Sequence, residues 1–378
     1  MMARAQSLRV LVSGAILASL TLASLAAGGV AIASDGATPA GLTFLGQAII
    51  PTGTTFDGTV VGGLSSITYD AEDGVYHSLS DDQGTINPAR FYTLEVDLSD
   101  GHLDDGDVTF LASTTLLAPD GQPYPPASLD PEGLTLAKSG ELIVTSEGIA
   151  NAGIAPWVRR YALDGSFLGD LSVPDTFAPA PGHGVRQNLA FEAAAVAPNG
   201  RHLFVGMEGA LAQDGPAATV ANGSPSRILR YNLVSGSLDE QNVYVTDPVA
   251  EPPVPPTNFS VNGLVELLPF NDQFMLSMER SFSVGAPGTG NTIKLYSVAF
   301  PRADDVSGVE SLAGALNSLE PVEKTLLLDL RELGIPLDNI EGMTIGPDLP
   351  DGRPSLVLVS DNNFAASQFT QFLLFALD

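Results

Sequence analysis

Asp130-Pro131-Glu132-Gly133-Leu134-Thr135-Leu136, then Lys138-Ser139-Gly140, then Leu142-Ile143-Val144-Thr145-Ser146-Glu147-Gly148 is the stretch that decides the fold. Two apolar runs flank a tight turn, and an acid stands at each open end. Such runs around a glycine-bearing turn read as a β-hairpin. The free ends of a hairpin lie side by side, so the polar ends of each copy come together. Four more copies follow the pattern, at residues 65–69 with 76–82, 192–196 with 203–209, 262–267 with 274–280, and 341–345 with 356–362.

A second strand pair follows each hairpin, and its first strand carries an aromatic residue: Tyr92, Tyr161, Tyr231, Tyr296 and Phe375. Each unit therefore has four strands. The hairpins start at residues 65, 132, 192, 262 and 341. After Glu341 only 37 residues remain, enough for three strands. The missing strand is at the other end of the chain, in the apolar run at residues 42–50. An N-terminal strand that completes the last unit closes a ring and hides its sheet edges. Four-stranded units at this period read as an all-β fold, a β-propeller. Five blades are counted; six stay open if one blade is degenerate. Residues 41–378 form this single domain.

The first strand of each propeller blade lines the central channel. Ser65, Glu132, Glu192, Asn262 and Glu341 are then expected as an inner ring, and Asp81, Glu147, Glu208, Glu279 and Asp361 as a second ring beside it. Any one of these acids is most simply a turn cap or an arginine partner. Eight gathered carboxylates repel each other, and must bind a cation or hold protons at raised pKa. Oxygen ligands without cysteine favour Ca²⁺, with Mg²⁺ second.

The chain has 44 acidic against 16 basic residues and a net charge of -28. Phosphate backbones would be repelled, so nucleic acid is excluded as a partner. Arg4 and Arg9 precede an apolar run that ends at Ala31-Ile32-Ala33, and no acid comes before Asp35. Residues 1–33 read as a cleaved signal peptide, with an uncleaved anchor as the alternative, and residues 34–40 as a short linker. The expected product is a secreted or periplasmic monomer, not inserted in the membrane after cleavage. With no cysteine, it has no disulfides. Residues 306–319 have helical apolar spacing and read as a surface helix interrupting the fourth unit.

These motifs resemble the phytase-like family, described as having the esterase-like activity of phytase. The resemblance runs from about Gly41 to Asp378. It is carried by Gly63-Leu64-Ser65 with Ser80-Asp81-Asp82, Asp130-Pro131-Glu132-Gly133 with Ser146-Glu147-Gly148, and Arg186-Gln187-Asn188 leading to Phe191-Glu192. Met207-Glu208, Met278-Glu279-Arg280, and Asn339-Ile340-Glu341-Gly342 with Ser360-Asp361-Asn362 add to it. Ala193 departs from a pattern that often has glycine there. The resemblance implies an exported phosphoester hydrolase acting on a small phosphorylated substrate.

Metal-assisted hydrolysis is the natural chemistry for such a site. The metal set is Asp81, Glu132, Glu147, Glu192, Glu208, Glu279, Glu341 and Asp361. Glu192, Glu208 and Arg186 are the catalytic candidates. Arg90, Arg280, Asn188 and Lys294 are candidates to hold substrate, since Arg grips phosphate in bidentate fashion. For Arg90 and Arg280 a salt bridge to a ring acid is the simpler expectation. No Gly-x-Ser-x-Gly elbow supports a serine nucleophile. The second reading is a non-catalytic propeller that is stabilised by Ca²⁺ and binds a ligand or partner.

Overall fold

The computed structural model describes residues 39–378. The expected signal peptide and most of the linker lie outside the described residues. Five four-stranded antiparallel sheets make the five blades. Blade 1 is Leu64–Asp70, Val75–Ser80, Arg90–Val96 and Val108–Thr115. Blade 2 is Pro131–Leu136, Leu142–Ser146, Trp157–Tyr161 and Phe167–Leu171. Blade 3 is Phe191–Val196, His202–Met207, Pro225–Asn232 and Ser237–Val245. Blade 4 is Ser260–Pro269, Phe274–Ser283, Asn291–Ala299 and Glu323–Asp329. Blade 5 is Asn339–Asp348, Pro354–Asp361 and Thr370–Leu377, completed by Leu42–Ile50 from the N-terminal end. The only helices among the described residues are short 3₁₀ turns, and none is long and apolar enough to cross a membrane.

The core is divided among the blade interfaces. One apolar cluster lies between each neighbouring pair, such as Leu79 and Phe91 of blade 1 with Leu134 and Val144 of blade 2. The cluster joining blades 5 and 1 sets Val357, Val359 and Phe372 against Leu64, Ile67 and Tyr76. Every blade thus packs on two others, which fixes the count at five and leaves no room for a sixth. The third-strand aromatics Tyr92, Tyr161, Tyr231, Tyr296 and Phe375 are all buried in these interfaces. Each full aromatic burial contributes about 2–3 kcal/mol.

Residues 306–319 do interrupt blade 4, between its third and fourth strands, but they form no helix beyond a single 3₁₀ turn, Leu316–Ser318. Val306 and Leu312 bury against Val243. The buried pair Arg227 and Asp214 takes the backbone groups that a helix would use. Arg227 Nη2 donates to the Val309 carbonyl at 2.9 Å, and the Leu312 N–H donates to Asp214 Oδ1 at 2.9 Å. Tertiary bonding overrides the local spacing.

Removal of residues 39–50 would leave the strand Thr370–Leu377 as a bare edge, open to pairing with other chains. The truncated chain is expected to aggregate, or to lose the sharp urea transition of the full chain. A monomeric elution peak with an unchanged unfolding midpoint would contradict closure by that strand.

Candidate functional site

The acidic ends are aimed by a repeated backbone irregularity. In blades 1, 2, 3 and 5 the first strand loses register with the second where the ring residue stands: between Leu64 and Ser66, Pro131 and Leu134, Phe191 and Ala193, and Ile340 and Gly342. A bulge turns a side chain out of the ladder, here Ser65, Glu132, Glu192 and Glu341. The second acid follows the strand opposite. Its N–H donates to the start of the first strand in three blades: Asp81 to the Gly63 carbonyl at 2.7 Å, Glu147 to Asp130 at 2.9 Å, and Glu208 to Ala190 at 2.7 Å. Gly63 has φ of +65°, and a Cβ there would stand 1.9 Å from Asp81 Oδ1. Glycine is required at that point for Asp81 to enter the site.

These acids border a cavity of about 810 Å³, which Asp81, Glu132, Glu192, Glu208, Glu341 and Asp361 line together with Arg280 and Asn188. Glu147 lies behind Glu192 and Glu208, and the carboxylate oxygens of these three fall within 4.8 Å of one another. Asp130, Glu132 and Glu147 form a second such group. The sequence reading omitted Asp130 from the ligands, although it stands one residue ahead of Pro131-Glu132. Gln83 Nε2 donates to its Oδ1 at 2.7 Å, while its buried Oδ2 has no hydrogen-bond partner.

Blade 4 departs from the pattern. Its bulge falls between Leu264 and Glu266, where Leu264 pairs with Glu279. Arg280 therefore takes the place that Asp81, Glu147, Glu208 and Asp361 hold in their blades. Its Nη2 stands 2.7 Å from Glu341 Oε1 and 3.3 Å from Glu208 Oε1. Glu279 points to the opposite face of the strand, away from the ring. It accepts hydrogen bonds from the Tyr244 hydroxyl at 2.8 Å and from Asn262 Nδ2 at 2.8 Å, and it pairs with Lys324. Glu279 and Asn262 are thus misplaced by the sequence reading. Lys294 is on this side too, paired with Asp247 at 3.2 Å.

Two other expected residues are placed away from the cavity. Arg90 is buried, donates through Nη1 to Asp82 at 2.9 Å, and donates through Nε to the Tyr92 hydroxyl at 2.7 Å. It is a salt-bridge residue. Arg186 donates to the carbonyls of Ala210 at 3.1 Å and Gly215 at 2.7 Å, and does not line the cavity. Ser65 Oγ donates to the Glu132 carbonyl at 2.8 Å, a tie between blades.

Burial raises the pKa of every acid in this group, and the neighbouring carboxylates add to it for most. Glu132, Glu147, Glu192 and Asp81 are pushed well above the usual carboxylate range. Burial drives Glu208 up to about 7, against the pull of Arg280. Asp361 is pushed up to about 8 by burial and by Glu341. Asp130 rises to about 6, mainly by burial. Further along the channel, Glu266 of blade 4 reaches Ser66 Oγ of blade 1 at 3.3 Å, and burial raises it strongly.

The residues fit a hard divalent cation. The donor set is all oxygen, it forms two close groups that share Glu147, and the buried Asp130 Oδ2 and Asp81 Oδ1 have no hydrogen-bond partner.

The family's sequence profile matches residues 59–364, under the description "Esterase-like activity of phytase". The chain belongs to the phytase-like family. Among solved structures, this phytase-like chain is similar to an endo-arabinase from Bacteroides thetaiotaomicron, at 13% identity and a TM-score of 0.43, covering 87% of this chain and 96% of that one. It is similar also to an endo-1,4-beta-xylanase from the same organism, at 10% identity and a TM-score of 0.45, covering 82% and 90%. A third is a periplasmic gluconolactonase from Pseudomonas aeruginosa, at 13% identity and a TM-score of 0.36, covering 89% and 96%.

Stability of the phytase-like chain in chelator is expected to fall as pH rises. A carboxyl group whose folded pKa is raised holds its proton more tightly when folded. Its contribution is full below the usual 4.5 of glutamate and is lost as pH rises through about 7 for Glu208. Asp361 extends the loss through about 8. A bound cation replaces those protons, so Ca²⁺ should raise the melting temperature more at pH 8 than at pH 5. Glu192→Gln should lower the melting temperature in Ca²⁺ but leave it equal or higher in chelator, where the neutral amide needs neither a cation nor the proton that burial and the neighbouring acids force on Glu192. Equal losses in both media would count against cation binding by this group.

Proposed function

We propose that this protein hydrolyses phosphoesters in the central cavity, with Ca²⁺ held by Asp130, Glu132, Glu147 and Glu192. The observation behind this reading is the pair of buried oxygen clusters that open on a cavity of about 810 Å³. When bound, the ion offsets phosphate charge and lowers the pKa of water. The chain's own groups do the proton work. Asp361 lines the cavity but lies outside both clusters, and burial with Glu341 nearby pushes its carboxyl up to about 8 before any cation binds. In this reading it protonates the leaving oxygen as the bond from phosphorus breaks. Glu208, near 7, is the first of the two to lose its proton. As the member that faces Arg280, it would accept one from the attacking water while the other acids hold the ion. Arg280, ion-paired to Glu208 and Glu341, offsets part of the charge of those two carboxylates.

The same proposal takes the protein to be exported, on the leader-like first 33 residues. A binding module without catalysis is the competing reading, and the open cavity beside the acid clusters favours the enzyme.

The test is turnover of a phosphomonoester, a phosphodiester and a carboxyl ester, each with Ca²⁺ and with chelator. Phosphoester hydrolysis that disappears in chelator is expected. Hydrolysis of the carboxyl ester alone, unaffected by chelator, would overturn the proposal. Asp361→Asn should lower kcat by roughly 10²-fold or more, while the rise in melting temperature given by Ca²⁺ persists.

A further inference from the structure

The inner hairpin of blade 4 rises above the acid ring. Its two strands are 10 residues each, against 6 each in blade 3. The added length lies beyond Arg280, where Ser281 pairs with Asn262 and Phe282 with Val261. Side chains alternate along a strand, so Phe282 points the same way as Arg280, and Val261 points with it. Both line the cavity, as does Phe259 just before the strand. The Phe259 and Phe282 rings lie 6.3 Å apart. Phe259 is 63% exposed. Its backbone is nonetheless fixed: the Val284 N–H donates to the Phe259 carbonyl at 3.0 Å, and the Val254 N–H donates to the Val284 carbonyl at 2.9 Å. The cavity thus has an acidic floor and an aromatic wall held at a set height above it.

We propose that this wall selects the substrate: an ester with a single phosphate and an apolar group the size of an aromatic ring, rather than a polyphosphorylated polyol. The inference rests on the phosphoester reading above. Charge is the first argument. Arg280 is the only lysine or arginine among the described residues lining the cavity, and it already faces Glu208 and Glu341. A bound cation can offset one phosphate, but every further phosphate would sit among carboxylates with no basic side chain to meet it. The second argument is the wall. A phenyl group in a substrate gains contact with two rings already in position, and a polyol would be left against them with its hydroxyls unpaired.

The experiment measures binding of phenylphosphonate and methylphosphonate to the full chain in saturating Ca²⁺, by calorimetry. Phenylphosphonate should bind roughly tenfold tighter or better. Phe259→Ala together with Phe282→Ser should abolish that difference. Phe259→Ala alone, at an exposed position, should reduce it without changing the melting temperature. Equal affinities in the wild-type chain, or no binding of either compound, would overturn the proposal. Turnover of phenyl phosphate, glycerol phosphate and inositol hexakisphosphate gives the second arm, and fastest turnover of the hexakisphosphate would also overturn it. No turnover of any of the three, with the phosphonate difference intact, would sink the hydrolase reading and support the aromatic wall.

Discussion

Carboxylates that repel each other at the centre of the ring set the terms for everything around them. Asp81, Asp130, Glu132, Glu147, Glu192, Glu208, Glu341 and Asp361 gather there, and among the described residues lining the cavity a single basic side chain, Arg280, opposes them. Removal from water makes each charge harder to hold, and proximity makes it harder still. The group can persist in two ways, by keeping protons or by binding a cation. Both couple the site to its medium. The blades must be stiff enough to hold such a group together, and the five interface clusters provide that stiffness.

The repeated bulge converts this stiffness into aim. A regular ladder would send alternate side chains into the neighbouring blades, where the apolar core lies. One extra residue per first strand frees the acid from that alternation and turns it to the channel. Blade 4 moves its bulge to Val265 and so changes which residue reaches the centre. The result is a cation where the other blades supply an anion, and this keeps Glu208 and Glu341 from facing each other unscreened.

Much of this was legible in the sequence because it is local. Asn-Gly and Asp-Gly turns, apolar runs and an aromatic in every third strand give the blades, and the short last unit gives the closure. The acids at the ends of blades 1, 2, 3 and 5 were legible for the same reason. Blade 4 was not, because a one-residue change of register flips each side chain to the other face. Glu279 was read as a ring acid, and Arg280, its neighbour, took that place. Arg186 looked free to meet phosphate, but its partners are carbonyls at Ala210 and Gly215, which only the folded loop brings near. The helix expected at residues 306–319 failed similarly, since Asp214 and Arg227 come to it from a distant part of the chain.

The closing strand has a further consequence, one of timing. Leu42–Ile50 pairs with Thr370–Leu377, so one of the first strands to be synthesised waits for the last. Blades 1 to 4 can form as their residues emerge, but the ring cannot close, and the acids cannot be brought to their final spacing, until nearly the whole chain is available. Contacts this distant in sequence slow folding. A chain that closes late assembles its cation site late as well, so divalent ions should act on the final step of maturation more than on the formation of individual blades.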